Sequence, residues 1–360
     1  SPHMTRLANQ SNPLLIDRLA SLFGFRRLAK QLGDSSIDPI YLYVGTFILV
    51  NISFGTAYRY WQTGVIGFIE NPFGLALPLG VAVATVGIKY MHDGQRAAEE
   101  QLLSKNQVQS GFTDSRSSFS FRTTLSIYLI AVTAYLLFEI FVIGIDTLLQ
   151  SQGPVLAIFY NLLILPLCFI AVGVEFVLMY SSVHFLFPQR LARTDLKLFF
   201  LDARDMGGFQ PVGELLKKSY YVYTAGLLIY LAFFYGPVVL KGDPTDGAVQ
   251  IGPIIVVLFT VLWLVGIGTL SYSMYQIHRV MVAEKNARLE EIETKLREVV
   301  SDPYEKEEPE ISDTERLESI QFHLEQIRNT SEYPTTFTMW TQIGISVILP
   351  QALQLSLQYI

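Results

Sequence analysis

A single cysteine in 360 residues excludes any intramolecular disulfide. Cys168 lies within an apolar run, where a thiol reads as a small buried hydrophobe and says nothing about redox compartment. Histidine is nearly as scarce, with five copies. No His/Cys group and no His-Glu-x-x-His pattern has the spacing of a metal site. There is no glycine-rich phosphate loop, and no basic patch that suits nucleic acid. No catalytic constellation stands out, so the chain is not expected to be an enzyme, and nothing calls for a cofactor. Gly144-Ile145-Asp146 is only a fragment of an intramembrane-protease motif. Thr85-Val86-Gly87-Ile88-Lys89 matches a potassium-filter sequence in part and lacks the following glycine. Charge is the last scarcity: 16% of residues are charged against 51% apolar, which is a membrane-protein profile rather than a soluble one.

What the chain has is long apolar runs, with a mean hydropathy of +0.35. Seven stretches approach the roughly 20 apolar residues that one crossing needs. They are Ile40–Tyr60, Phe73–Tyr90, Thr123–Leu149, Val155–Leu186, Tyr220–Leu240, Ile251–Tyr275 and Phe337–Ile360. The expected fold is therefore an all-α membrane protein with seven transmembrane helices, multi-pass in the cell membrane. Of 26 Lys/Arg, only Arg59 and Lys241 fall on one side of this layout. The positive-inside rule then puts the N-terminus in the cytoplasm and the C-terminus outside. That polarity excludes G-protein-coupled receptors and microbial rhodopsins, and the seventh stretch has no lysine for a retinal Schiff base. Ser1-Pro2-His3-Met4 reads as an expression-vector remnant, and no cleavable signal peptide is expected.

Four units follow: a cytoplasmic N-terminal segment over 1–38, a six-span bundle over 39–281, an acidic hairpin over 282–334 and a final span over 335–360. The N-terminal segment mixes Leu15, Ile16, Leu19 and Leu22 with Arg18, Arg26, Arg27 and Lys30, which suits a helix lying on the inner leaflet. From Val282 to Glu332 the chain carries 15 Asp/Glu and 7 Lys/Arg, so the acidity of the whole chain belongs to this cytoplasmic segment. Span six continues past the membrane with Leu289, Ile292, Leu296 and Val299 at 3-4-3 spacing. Ser312 with Glu315 reads as a capping box. It opens a second helix with Leu317, Ile320, Leu324 and Ile327 at the same spacing. Two such seams predict an antiparallel helical hairpin, a candidate oligomerisation core. The connection between spans four and five, with Leu196, Leu198, Phe199, Phe200 and Leu201, looks helical. Arg204 between Asp202 and Asp205 is expected to form a local ion-pair group, and Pro211 to open the helix of span five.

The last stretch places Gln342, Ser346, Pro350, Gln354 and Gln358 at every fourth position, one face of a helix. Lipid gives amides no partner, so that face looks at protein or water. Pore lining is one reading, with Leu349, Leu353, Leu355 or Leu357 forming an apolar constriction beside the amides. Bonding between helices is the other.

This layout resembles the insect gustatory and odorant receptors and their gustatory-receptor-like relatives. The likeness rests on an intracellular N-terminus, seven spans, and a separate cytoplasmic helix between spans six and seven. Tyr333–Thr336 stands where that family breaks its seventh helix, and Gln358-Tyr359 sits where its short last-span pattern ends in Gln and an aromatic. Pro350 departs from it. The resemblance implies a homotetrameric, ligand-gated cation channel in which cytoplasmic helices form a central anchor and the last span lines the pore. It also implies a ligand pocket among the outer halves of the middle spans.

Candidate pocket residues are Tyr135, Glu139, Tyr160, Asn161, Tyr230, Phe234 and Trp263. An intramembrane carboxylate such as Glu139 is costly and needs a partner, either a ligand or cation on that path or a neighbouring Tyr or Asn. Asp146 lies close enough to an outer end to reach water. Glu175 and His184 are nine residues apart, a poor spacing for a pair. Tyr220, Tyr221 and Tyr223 read as an interfacial anchoring belt. The expected partners are thus the lipid bilayer, further copies of the chain and a small-molecule ligand. A non-conducting scaffold or sensor that uses the acidic hairpin is the alternative, and a transporter, for which no inverted repeat is visible, the third.

Overall fold

The computed structural model describes residues 14–32, 38–108, 119–202, 204–241, 253–300, 313–335 and 337–357. These residues are overwhelmingly helical. We number the main helices α1 (Leu15–Leu22), α2 (Phe25–Gln31), α3 (Pro39–Thr63), α4 (Pro72–Ser104), α5 (Phe121–Gln150) and α6 (Pro154–Arg193). They continue as α7 (Gln210–Lys241), α8 (Pro253–Val299), α9 (Thr314–Asn329) and α10 (Phe337–Leu357).

Among the described residues six helices, α3 to α8, are long and apolar enough to cross a membrane. The sequence reading expected seven. The last, α10, falls outside the six because Gln342, Ser346, Gln351, Gln354 and Ser356 dilute its apolar residues. The helices also overrun their apolar stretches. α4 continues to Ser104 and α8 to Val299, past the apolar ends at Tyr90 and Tyr275, so both project beyond any bilayer as charged extensions. At that charged end Arg190 pairs with Glu99 at 3.2 Å and ties α6 to α4.

Span helix α6 is not a regular α-helix. It is π-helical over Phe159–Ile170, with Pro166 inside the run, and again over Ser182–Leu186. A π turn or a proline disturbs the backbone ladder and offers carbonyls to neighbours. Two tyrosines take them. Tyr128 of α5 donates to the Pro166 carbonyl at 3.1 Å, and Tyr43 of α3 donates to the carbonyl of Leu167. Phe23 and Phe25 pack on the Tyr43 ring and close the cluster.

The N-terminal helix does more than rest on a surface. Leu15, Ile16 and Ala20 are fully or almost fully buried, and α1 packs against α3, α5 and α6. No side chain of its own caps α1, and Glu175 of α6 does so instead: its carboxylate accepts the buried Ile16 N–H at 3.2 Å. The free N–H groups of a helix start attract an anion, so Glu175 is spent here. His184 turns to Ser273 of α8 at 3.0 Å. Two of the three tyrosines expected as an interfacial belt, Tyr220 and Tyr223, turn inward, while Tyr221 keeps an exposed hydroxyl on Gln342. Tyr220 is fully buried, and Tyr223 stacks on Tyr180 and donates to the carbonyl of Leu262.

Between α6 and α7 the chain is irregular rather than helical. Leu196 and Leu198 are buried, Phe199 and Leu201 exposed. Gln107 staples the segment by donating to the Lys197 and Gly207 carbonyls at 3.1 and 2.7 Å. Gly207 and Gly208 supply the expected turn with φ of 59° and 84°. Among the described residues the anticipated ion-pair group around Arg204 is absent. Asp202 accepts the backbone N–H groups of Gly208 and Arg204 instead. α7 starts at Gln210, beside the expected Pro211.

The hairpin is present. Leu289, Ile292, Leu296 and Val299 of α8 meet Leu317, Ile320, Leu324 and Ile327 of α9 in one apolar cluster. Its cap is Asp313, which accepts the Arg316 N–H at 3.0 Å; Ser312 lies outside the described residues. On the exposed face Lys295 and Arg288 donate to Glu291 and hold its carboxyl below the usual range.

After α9 the chain returns to the bundle by pressing Pro334 onto α7. A Cβ on Gly213 would lie 1.7 Å from the Pro334 carbonyl oxygen, a clash with backbone that cannot rotate away. Gly213→Ala is therefore expected to displace the 331–335 segment. It should cost about 1–3 kcal/mol, the usual scale of overpacking, read as a lower thermal midpoint of the purified protein. An unchanged midpoint would contradict this packing.

Candidate functional site

The site to be tested is α10 and the two helices beside it. Its direction follows from its contacts with α8 and α7. Trp263 of α8 donates its indole N–H to the Val347 carbonyl at 2.8 Å, and Gln354 reaches the Val256 carbonyl at 3.4 Å. These pairs are seven residues apart on both helices, so α10 runs antiparallel to α8 in constant register. Against α7 it runs parallel. Lys217 and Tyr221 contact Gln342 at its start, and Leu357 packs with Leu231, Tyr235 and Phe259 near its end.

These contacts fix the rotation of α10 and give it two faces. One face, with Met339, Ile343, Pro350 and Gln354, is buried against the chain's own bundle. The other, with Ile345, Ile348, Leu349, Ala352 and Leu353, is exposed, Ile345 by 61% and Ile348 by 65%. Four-residue spacing had suggested a single polar face. The structure divides it. Gln342 is exposed but bonded to α7, and Ser346 is half-buried with its hydroxyl returned to the Ile343 carbonyl at 2.8 Å. Gln354 is fully buried, and its Oε1 has no partner among the described residues. Leu357 is half-buried among apolar neighbours, and Gln358 lies outside the described residues. Contact with a neighbouring helix is the interhelical role that the sequence left open beside pore lining.

The seven candidate pocket residues form two groups. Tyr135 donates to Asn161, whose amide bonds the Ala157 carbonyl at 2.9 Å. The Glu139 carboxylate lies beside the same hydroxyl, and Tyr160 packs edge-on to Phe169. This group joins α5 to α6, where Glu139 opens a π turn that ends at Gly144 with φ of 87°. Asp146 beyond it is exposed, as are the apolar Phe141, Val142 and Ile145 beside it. The second group joins α7 to α8. Tyr230 donates to the Ile255 carbonyl at 3.1 Å and packs on Phe234 and Phe259, with Trp263 in the same cluster.

Three clefts open elsewhere, at the charged end of the bundle. One of about 320 Å³ lies between α6 and α8, around Asp195, Arg279 and Glu284. Two others, of about 480 and 260 Å³, meet at Arg204 and Gln210. None of the three is lined by the seven pocket residues. Sequence reasoning missed Arg204 as a cleft residue because its two flanking aspartates suggested local pairing. The signal that was available is the Gly207-Gly208 turn, whose N–H draws Asp202 away.

No protein family model matches the chain, and no characterised protein or solved structure does either.

The buried contact of α10 predicts an asymmetry. Gln354→Leu removes an unpaired oxygen and one long hydrogen bond, so the thermal midpoint should hold or rise. Trp263→Phe removes a 2.8 Å bond to backbone and should lower it, by about 0.6–1.5 kcal/mol in stability. The reverse order would place the α10 anchor at the amide rather than the indole.

Proposed function

We propose that the protein is the subunit of a homo-oligomeric membrane channel in which α10 borders the pore. The observation that carries this reading is the two-faced last helix. One face is fixed to α7 and α8 by directed bonds, and the other is left as an apolar stripe ending in Thr341 and Gln342 on one side and Ser356 on the other. Twenty-one residues rise about 31 Å, the thickness of a hydrocarbon core, and α10 lies alongside α7 and α8 over their apolar parts. On this reading it is a seventh crossing, with the N-terminus cytoplasmic and the C-terminus outside in the cell membrane. Ile345, Ile348, Leu349 and Leu353, repeated around a symmetry axis, form a constriction that closes by excluding water. A tetramer and a cation as the permeant ion follow the resemblance to gustatory-receptor-like channels, with a small ligand acting on the middle spans.

The closed hairpin favours a second reading. Its seam packs α9 on α8 within one chain, and a non-conducting scaffold that presents the acidic outer face of the hairpin fits the same fact; on the channel reading the half-buried Leu289, Leu296, Leu317 and Leu324 remain the candidate contacts between copies.

Two measurements separate them. The mass of the detergent-purified complex is expected to be a multiple of the chain, and a monomer contradicts the channel. In reconstituted bilayers Leu349→Ser is expected to raise the resting conductance several-fold over wild type by wetting the constriction. No conductance from either form under any condition supports the scaffold.

A further inference from the structure

The 480 Å³ cleft between the starts of α7 and α10 has the wrong charge to be left alone. It is lined by Arg204, Met206, Gln210, Glu214, Lys217, Thr338, Met339 and Gln342. Lys217 is the unusual member: its side chain is only 9% exposed, and its Nζ lies 3.2 Å from Glu214. Glu214 is shared, because Lys218 approaches its second oxygen at 3.8 Å. Two ammonium groups thus divide one carboxylate.

Arg204 adds a third cation, and it borders both adjoining clefts. Its side chain forms no ion pair among the described residues, since Asp202 is occupied by the N–H groups of Gly208 and Arg204 at 2.9 and 3.4 Å. One carboxylate among these three cations leaves a net positive charge at the cleft, which favours an anion.

Gln342 completes the donor set. Lys217 and Tyr221 both bond its Oε1, at 3.4 and 3.3 Å. An ammonium can only donate, which fixes the amide orientation and leaves the Nε2 hydrogens for an acceptor. Arg204, Lys217 and Gln342 thus line one cleft from three separate segments, the irregular connection, α7 and α10. Charge-assisted donors of this kind match the oxygens of a phosphate.

We propose that this cleft binds a phosphate group and that, by binding it, ties the start of α10 to α7. The group comes either from an anionic lipid whose headgroup lies at that end of the bundle or from a soluble phosphate. The apolar stretch of α7 begins a few residues past Lys217 and Lys218, at Tyr220, which puts the cleft at the polar end of that span, the level of a lipid headgroup on the reading proposed above.

The test uses the full chain in detergent micelles. Binding is measured for a short-chain phosphoinositide, for inorganic phosphate and for phosphatidylcholine, with wild type, Arg204→Gln, Gln342→Leu and Arg316→Gln. Arg204 is exposed, so its replacement leaves the fold intact. Arg316 lies on the distant hairpin, paired to Glu298, and controls for loss of one surface charge. The expected result is phosphate binding weakened about tenfold by Arg204→Gln, weakened less by Gln342→Leu, and unchanged by Arg316→Gln. Binding of the phosphoinositide alone assigns the lipid source; equal binding of inorganic phosphate assigns the soluble one. The proposal is overturned if wild type binds neither, if phosphatidylcholine binds as well, or if Arg204→Gln and Arg316→Gln weaken binding alike.

Discussion

The bundle depends on hydrogen bonds from aromatic side chains to backbone carbonyls of neighbouring helices. Among apolar helices the hydrophobic effect gives no preference for one partner over another, so directed bonds and close packing decide the arrangement. Among the described residues five such bonds connect the helices: Tyr43 and Tyr128 to α6, Tyr223 and Tyr230 to α8, and Trp263 to α10. Each donor has an apolar body that packs and a single polar tip that needs a partner. The two bonds to α6 fall at Pro166 and Leu167, inside its π-helical run. Irregular backbone and aromatic donors therefore occur together.

The same rule explains the last helix. Two contacts choose its orientation: the indole of Trp263, which bonds the Val347 carbonyl, and the Gln342 amide at its start, which accepts from Lys217 and Tyr221. Once those are satisfied the apolar stripe of Ile345, Ile348, Leu349 and Leu353 must face away from the chain's own bundle. What covers that stripe, lipid or further copies, separates a plain seventh helix from a pore wall. Pro334 pressed against Gly213 sets the point from which the helix departs. The adjoining basic cleft puts a charged contact at the same hinge.

Much of this was legible in the sequence. The long apolar runs marked all six helices that are long and apolar enough to cross a membrane, together with a seventh, α10, that falls short of them, and matched 3-4-3 seams marked the hairpin, because these depend on local pattern alone. What failed depended on tertiary partners. Tyr220 and Tyr223 stand at a span end, as belt residues do, yet turn inward to Tyr180 and α8. Glu175 looked like an acid in need of a cation, and its partner is the start of a helix 159 residues away. Arg204 between two aspartates looked neutralised until the turn at Gly207-Gly208 claimed one of them. Gln354 was legible as a residue that avoids lipid, but not as one that meets α8 rather than water. Period four marks a face of α10, and only its neighbours reveal which way that face looks.

The rotation of α10 is the central claim, and cysteine cross-linking in native membranes tests it most directly. In a Cys168→Ser background, Ile348→Cys and Gln354→Cys would be compared under mild oxidation. The account predicts disulfide-linked dimers of the chain from Ile348→Cys and none from Gln354→Cys. Dimers from Gln354→Cys, with none from Ile348→Cys, would contradict it.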